Sequence, residues 1–92
     1  MPESTTTAVS RINASISSVR LLEINSNRRM AFFFNDSTSA MYLKMGITAS
    51  TTDFSVKIAA GGYLELPQPS YDGIIDAIWD AANGAAQVTE VV

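Results

Sequence analysis

The sequence predicts an all-β domain: a small β-sandwich or barrel of about seven short antiparallel strands, led by an extended N-terminal arm. Three observations point there. Short apolar segments alternate with clusters of Asn, Asp, Ser, Gly and Pro, at the roughly 8–12-residue spacing of small β domains. Two of these segments, residues 30–34 (MAFFF) and 41–45 (MYLKM), flank Asn35-Asp36-Ser37-Thr38-Ser39, a run of turn formers. Residues 30–34 are also apolar on both faces, with Met30, Phe32 and Phe34 alternating with Ala31 and Phe33. A strand with one wet face would alternate apolar and polar. The second face therefore meets another sheet, another part of the chain or another subunit.

Taken in order, residues 1–18 read as an extended or flexible arm and residues 19–92 as a single β domain. The arm is rich in Ser and Thr, with isolated apolar residues at Val9, Ile12 and Ile16. Ala8, Ile12, Ile16 and Val19 also fall near a helical period, but the serines compete for the backbone and favour an extended arm. Residues 19–24 (VRLLEI) form a first core strand, and Asn25-Ser26-Asn27 turns the chain. Residues 28–34 return as a second strand, and 40–45 follow across a hairpin as a third. Residues 46–52 are a loop. Residues 53–58 alternate, with Phe54, Val56 and Ile58 facing in. Ala59-Ala60-Gly61-Gly62 turns that strand into 63–66 as another hairpin, and Pro67 stops it.

Residues 73–80 (GIIDAIWD) fit a helical face through Ile74, Ile75, Ile78 and Trp79, with Asp72 as N-cap. They equally fit a strand face through Ile75, Ala77 and Trp79. The all-β context favours the strand, paired as a hairpin through Asn83-Gly84 with a last strand over 86–91.

Composition narrows the function. One domain fits in 92 residues, yet 47% are hydrophobic and 16% charged, against about 25% charged in an average protein. The surplus of apolar residues suggests buried subunit contacts, with a well-filled sandwich as the alternative. A net charge of −3 with no basic stripe argues against phosphate-driven nucleic-acid binding. No apolar run reaches the ~18 residues of a membrane span. The first ten residues, MPESTTTAVS, lack the basic and apolar regions of a secretory signal.

Chemistry is sparse. With no His and no Cys there is no imidazole base, no thiolate nucleophile and no ligand set built on either. No glycine-rich phosphate loop or zinc motif occurs. Asp72, Asp76 and Asp80 recur at every fourth position; on a strand they stand about 13 Å apart. They read as a solvated face guarding an edge strand. Arg28-Arg29 borders a turn or pairs with carboxylates of a neighbour. Tyr42, Tyr63, Tyr71 and Trp79 suit packing, or stacking on sugars in a carbohydrate-binding module. No catalytic, cofactor-binding or metal residue is expected, and the chain does not read as an enzyme.

Several stretches together carry a resemblance. They are Asn27-Arg28-Arg29 before an apolar strand and Asn35-Asp36-Ser37, then Tyr42-Leu43-Lys44-Met45-Gly46, residues 49–58 (ASTTDFSVKI), 61–67 (GGYLELP) and 78–90 (IWDAANGAAQVTE). Over residues 19–90 this order resembles small structural proteins of tailed bacteriophages and prophages. The resemblance implies a virion protein assembled in the host cytoplasm. Within that group it suggests a capsid decoration, or cement, protein that stabilises the head by binding across capsomer boundaries. Its partners would be copies of itself, commonly as a homotrimer, and the major capsid protein or another virion protein. A head–tail neck or tail-fibre component is the alternative. The residues expected in the core or in subunit and capsid contacts are Met30, Phe32, Phe34 and Trp79, with Val9, Ile12 and Ile16 of the arm reaching the shell or a neighbour.

Overall fold

In the computed structural model, which describes residues 6–92, the alternating segments form eight strands. They are β1 (Thr7–Asn13), β2 (Val19–Leu22), β3 (Met30–Asp36), β4 (Met41–Met45), β5 (Val56–Ile58), β6 (Tyr63–Glu65), β7 (Ile75–Trp79) and β8 (Ala85–Val91). All pairs are antiparallel, and no helix occurs among the described residues. Residues 75–79 are a strand, the alternative the all-β context favoured.

The strands make two four-stranded sheets, β1-β8-β3-β6 and β2-β7-β4-β5. Ala31, Phe33, Leu66, Ala86 and Val88 of the first side meet Leu21, Met41, Leu43, Ile58, Ile75, Ala77 and Trp79 of the second in one apolar core. This order, with each sheet built from strands distant in sequence, is that of a double-sheet jelly roll. The domain is thus a sandwich.

Pairing differs from the sequence expectation in a systematic way. Of the seven connections, only β4–β5 joins neighbours in one sheet; the others cross between sheets. The expected hairpins at 35–39, 59–62 and 80–84 are therefore arches spanning the sandwich. Turn composition identifies where a chain reverses, but not whether the reversal lies in a sheet or between two. At Gly84 the backbone has φ +80°, and a Cβ would collide with the Asp36 carbonyl oxygen and Ser37. Glycine is required there by both conformation and space.

The expected arm is also part of the fold. Residues 7–13 are extended, but they pair along their whole length with β8, from Thr7↔Val91 to Asn13↔Ala85. The eighth strand comes from this segment; residues 1–5 of the expected arm lie outside the described residues. The strand expected over 53–58 is shorter. Phe54 precedes β5 and faces outward, packed edge-on against Tyr42 with ring centroids 5.0 Å apart.

Arches bury backbone carbonyls that need partners, and two polar side chains supply them. At one end Asn35 is fully buried in β3. Its Nδ2 donates to the carbonyls of Ser39 (2.8 Å), Ile58 (3.0 Å) and Ala59 (3.1 Å). Its Oδ1 accepts from Ser37 Oγ (2.7 Å) and Trp79 Nε1 (3.1 Å). At the other end the Arg28 side chain is buried. It donates to Glu90 (2.7 Å) and to the carbonyls of Glu23 (2.7 Å), Tyr71 (2.8 Å) and Gly73 (3.0 Å). Arg28 pairs with a carboxylate of its own chain, where a neighbour's had been an expectation.

Replacing Asn35 by Ala removes the acceptor of the buried Trp79 N–H and a donor to the Ile58 carbonyl, while the Ser39 carbonyl keeps Ser37 Oγ and the Ala59 carbonyl keeps Gly62 N. At about 1–3 kcal/mol per unsatisfied buried group, the loss of stability is expected to reach roughly 2 kcal/mol or more. Arg28→Met leaves Glu90 without its cation and is expected to cost about 3–5 kcal/mol. Urea denaturation measures both; losses below about 1 kcal/mol would mean that the arches close without these side chains.

Candidate functional site

The two sandwich faces differ. Over β2-β7-β4-β5 the chain covers its own sheet. The connection 46–55 folds back so that Thr48 N donates to Asp76 Oδ2 (2.8 Å) and Ala49 N to Ser18 Oγ (3.0 Å). Ala49 is buried beneath it. Asp76 also accepts from Arg20 Nε (2.6 Å), a bond that raises the Arg20 pKa above its ordinary value more than any other cause. Asp80 accepts from the Tyr42 hydroxyl (3.1 Å). Asp76 is therefore buried on a central strand, a correction to the expected solvated edge, because the returning loop screens it from water. Among the described residues no group of three or more Asp, Glu, His or Cys is placed to hold a metal ion.

The outer face of β1-β8-β3-β6 has no such cover among the described residues. Strand register sets its rows. Thr7, Val91 and Met30 lie side by side, as do Val9, Thr89, Phe32 and Glu65, and Arg11, Gln87, Phe34 and Tyr63. Val9, Phe34 and Tyr63 are exposed by 66%, 40% and 59%, while Met30, Phe32 and Val91 are half-buried. Phe32 and Tyr63 pack at 6.0 Å between centroids. Arg11 bridges to Asp36 at 2.9 Å, so the face holds a closed ion pair beside its apolar rows. The Tyr63 hydroxyl donates to Glu65 (3.2 Å). Desolvation first, and then the Glu65 carboxylate, push its pKa above the ordinary tyrosine value, which keeps it a donor.

An open groove of about 240 Å³ runs between Phe32, Phe34, Tyr63, Gln87 and Thr89. Small-molecule sites run to about 300–1,000 Å³ and enclose their ligand. This groove is smaller and open.

The register brings Val9, Met30, Phe32 and Phe34 of the expected contact set onto this one face. The other three lie elsewhere. Ile12 points inward from β1 and packs against the core, and Ile16 is exposed on the β1–β2 connection. Trp79 is 1% exposed, inside the core and bonded to Asn35, so it cannot touch a partner or stack on a sugar. Its place in β7 facing the other sheet removes it from the contact set. Tyr63, Gln87 and Thr89 join the face by strand pairing, which no local sequence signal reports.

Comparison with protein-family models, with curated proteins and with solved structures finds no match to the chain.

The face and the core make opposite demands on neighbouring phenylalanines. Phe33→Ala is expected to cost about 3–5 kcal/mol, as a fully buried aromatic does. Phe34→Ala, one residue on, is expected to cost under about 1 kcal/mol because its ring is already part-solvated. Paired denaturation curves test the assignment, and equal losses would contradict it.

Proposed function

We propose that this chain is a virion structural protein of the tailed-phage kind, a capsid decoration protein that binds the assembled head across capsomer boundaries. The observation that carries the reading is the apolar outer face of the β1-β8-β3-β6 sheet, which nothing among the described residues covers, whereas the 46–55 connection folds over the other sheet. Exposed apolar patches rimmed by polar groups mark protein interaction sites. Here Val9, Phe34 and Tyr63 stay exposed while Arg11 and Asp36 neutralise each other beside them. The sequence resemblance to small phage structural proteins supplies the partner, the major capsid protein. The jelly roll agrees by analogy, since capsid proteins use this architecture, although fold alone does not assign function.

The mechanism needs no catalytic group. A protein that binds the assembled shell and not its separated subunits shifts the equilibrium toward the shell by mass action. Phe32, Phe34 and Tyr63 supply apolar area, and the groove between them receives a protruding side chain. A station in the neck or in a tail fibre would use the same contact physics with a different partner. β1 is a paired strand of the sheet, so the face and not a free arm is the surface to test.

Cosedimentation with shells assembled from the major capsid protein tests the reading. Phe34→Glu places an unpaired charge in the middle of the face and is expected to weaken binding at least about tenfold. Ile24→Glu alters an exposed residue outside the sheets and is expected to bind as the unmodified protein does. Undiminished shell binding by folded Phe34→Glu would overturn the assignment of the face.

A further inference from the structure

Each sheet of the sandwich has two edges, and the four edge strands are β1, β6, β2 and β5. An unpaired edge is a template for another strand, and natural sheets blunt it with short strands, Lys, Pro or bulges. Three of these edges carry such devices. β2 has four residues and a register shift between Arg20 and Leu22. β5 has three residues centred on Lys57, and β6 has three and runs through Leu66 into Pro67. β1 carries none. It has seven residues, TAVSRIN, in unbroken register with β8, with neither Pro nor Lys and six of its seven positions exposed. Its single charge, Arg11, is already neutralised by Asp36.

Hydrogen bonding shows which groups face the free edge. Thr6 exchanges both backbone bonds with Val92, at 3.0 and 2.9 Å, and Ala14 N donates to the Gly84 carbonyl. In an antiparallel pair the bonded positions alternate. Between those two bonded positions, Ala8, Ser10 and Ile12 therefore point their backbone groups at β8. Thr7, Val9, Arg11 and Asn13 point theirs away from it, and among the described residues no strand pairs with that side.

We infer that the partner of this edge is β1 of a second copy, paired antiparallel about a twofold axis at Ser10. In that register Thr7 faces Asn13 and Val9 faces Arg11 across the axis. The four outward residues of each copy then all find hydrogen-bonded positions. No like charges oppose each other, since each Arg11 lies across from a Val9. The contact is isologous, so it closes as a dimer and leaves no β1 edge to propagate. It joins the two β1-β8-β3-β6 sheets into one and makes their apolar faces continuous through the two Val9 residues. This is a twofold contact, where the family resemblance implies a threefold one, and it stands without the capsid reading.

Proline separates the two sides of β1. Val9→Pro removes an N–H that points to the free edge, and edge strands accept proline in that position. The bond from β8 to Ser10 is untouched. Light scattering on a sizing column over a dilution series is expected to give a dimer for the unmodified protein. For Val9→Pro it is expected to give a monomer with an unchanged circular-dichroism spectrum. A monomer at every concentration, a trimer, or a dimer that survives in folded Val9→Pro would overturn the proposal. Amide exchange on the unmodified protein gives a second measurement that needs no variant. The amides of Thr7, Val9, Arg11 and Asn13 should exchange at least about tenfold more slowly in concentrated than in dilute protein. Exchange at solvent rates in concentrated protein, with Ala8, Ser10 and Ile12 protected, would also overturn it. Neither experiment involves a shell, so its failure is distinct from failure of the decoration reading.

Discussion

Six of the seven connections in this domain cross from one sheet to the other, and short crossings bury backbone that has no ladder to join. That constraint organises the rest of the structure. A buried carbonyl left unpaired costs free energy comparable to a lost hydrogen bond, and a small core has little to offset several of them. Asn35 answers the problem at one end by holding three carbonyls from two arches while accepting from Trp79, the largest buried side chain. Arg28 does the same at the other end. It gathers carbonyls of the β2–β3 and β6–β7 connections and anchors on Glu90 of β8. Each hub ties both sheets together, so the packing of the core and the closure of the arches depend on each other.

The same topology explains why one face is closed and the other open. β4–β5 is the one connection that stays within its sheet, and it is also free to be long. Its surplus length folds over β7, where Thr48 caps Asp76 and Ala49 is buried. Among the described residues the opposite sheet receives no such loop. Its outer rows keep Val9, Phe34 and Tyr63 exposed and Met30 and Phe32 half-buried. The high hydrophobic fraction of the chain thus fills a small sandwich and leaves apolar side chains at the surface, Val9, Phe34 and Tyr63 on this face and Ile16, Ile24, Met45, Ile47 and Phe54 elsewhere. The decoration role proposed above would use the apolar rows of this face, and the unblunted β1 edge borders the same face.

The class of structure and the positions of seven of the eight strands are legible in the sequence by itself. Period-two alternation and turn chemistry act over a few residues, so the cores of strands β2 to β6 and β8 and the turn at Gly84 were readable locally, while the strand at 75–79 was chosen by the all-β context of the whole chain. The absence of His and Cys likewise bounded the chemistry before any coordinate was known. Sequence alone could not choose which face of residues 30–34 is the inner one, because both are apolar. Nor could it separate a hairpin from an arch, or an arm from an edge strand, since the same residues serve both.

Those choices were made by pairing partners far away in the chain. Register with Leu64 and Val88 turned Phe33 inward and left Phe32 and Phe34 on the surface. Pairing with β8 drew residues 7–13 into the sheet, and the returning 46–55 loop converted Asp76 from a solvated carboxylate into a buried one. Each outcome depends on long-range hydrogen bonds and on the need to satisfy buried polar groups, and neither leaves a trace in local composition. Only long-range pairing places Val9, Phe34 and Tyr63 on one face and leaves the outer edge of β1, among the described residues, unpaired beside it.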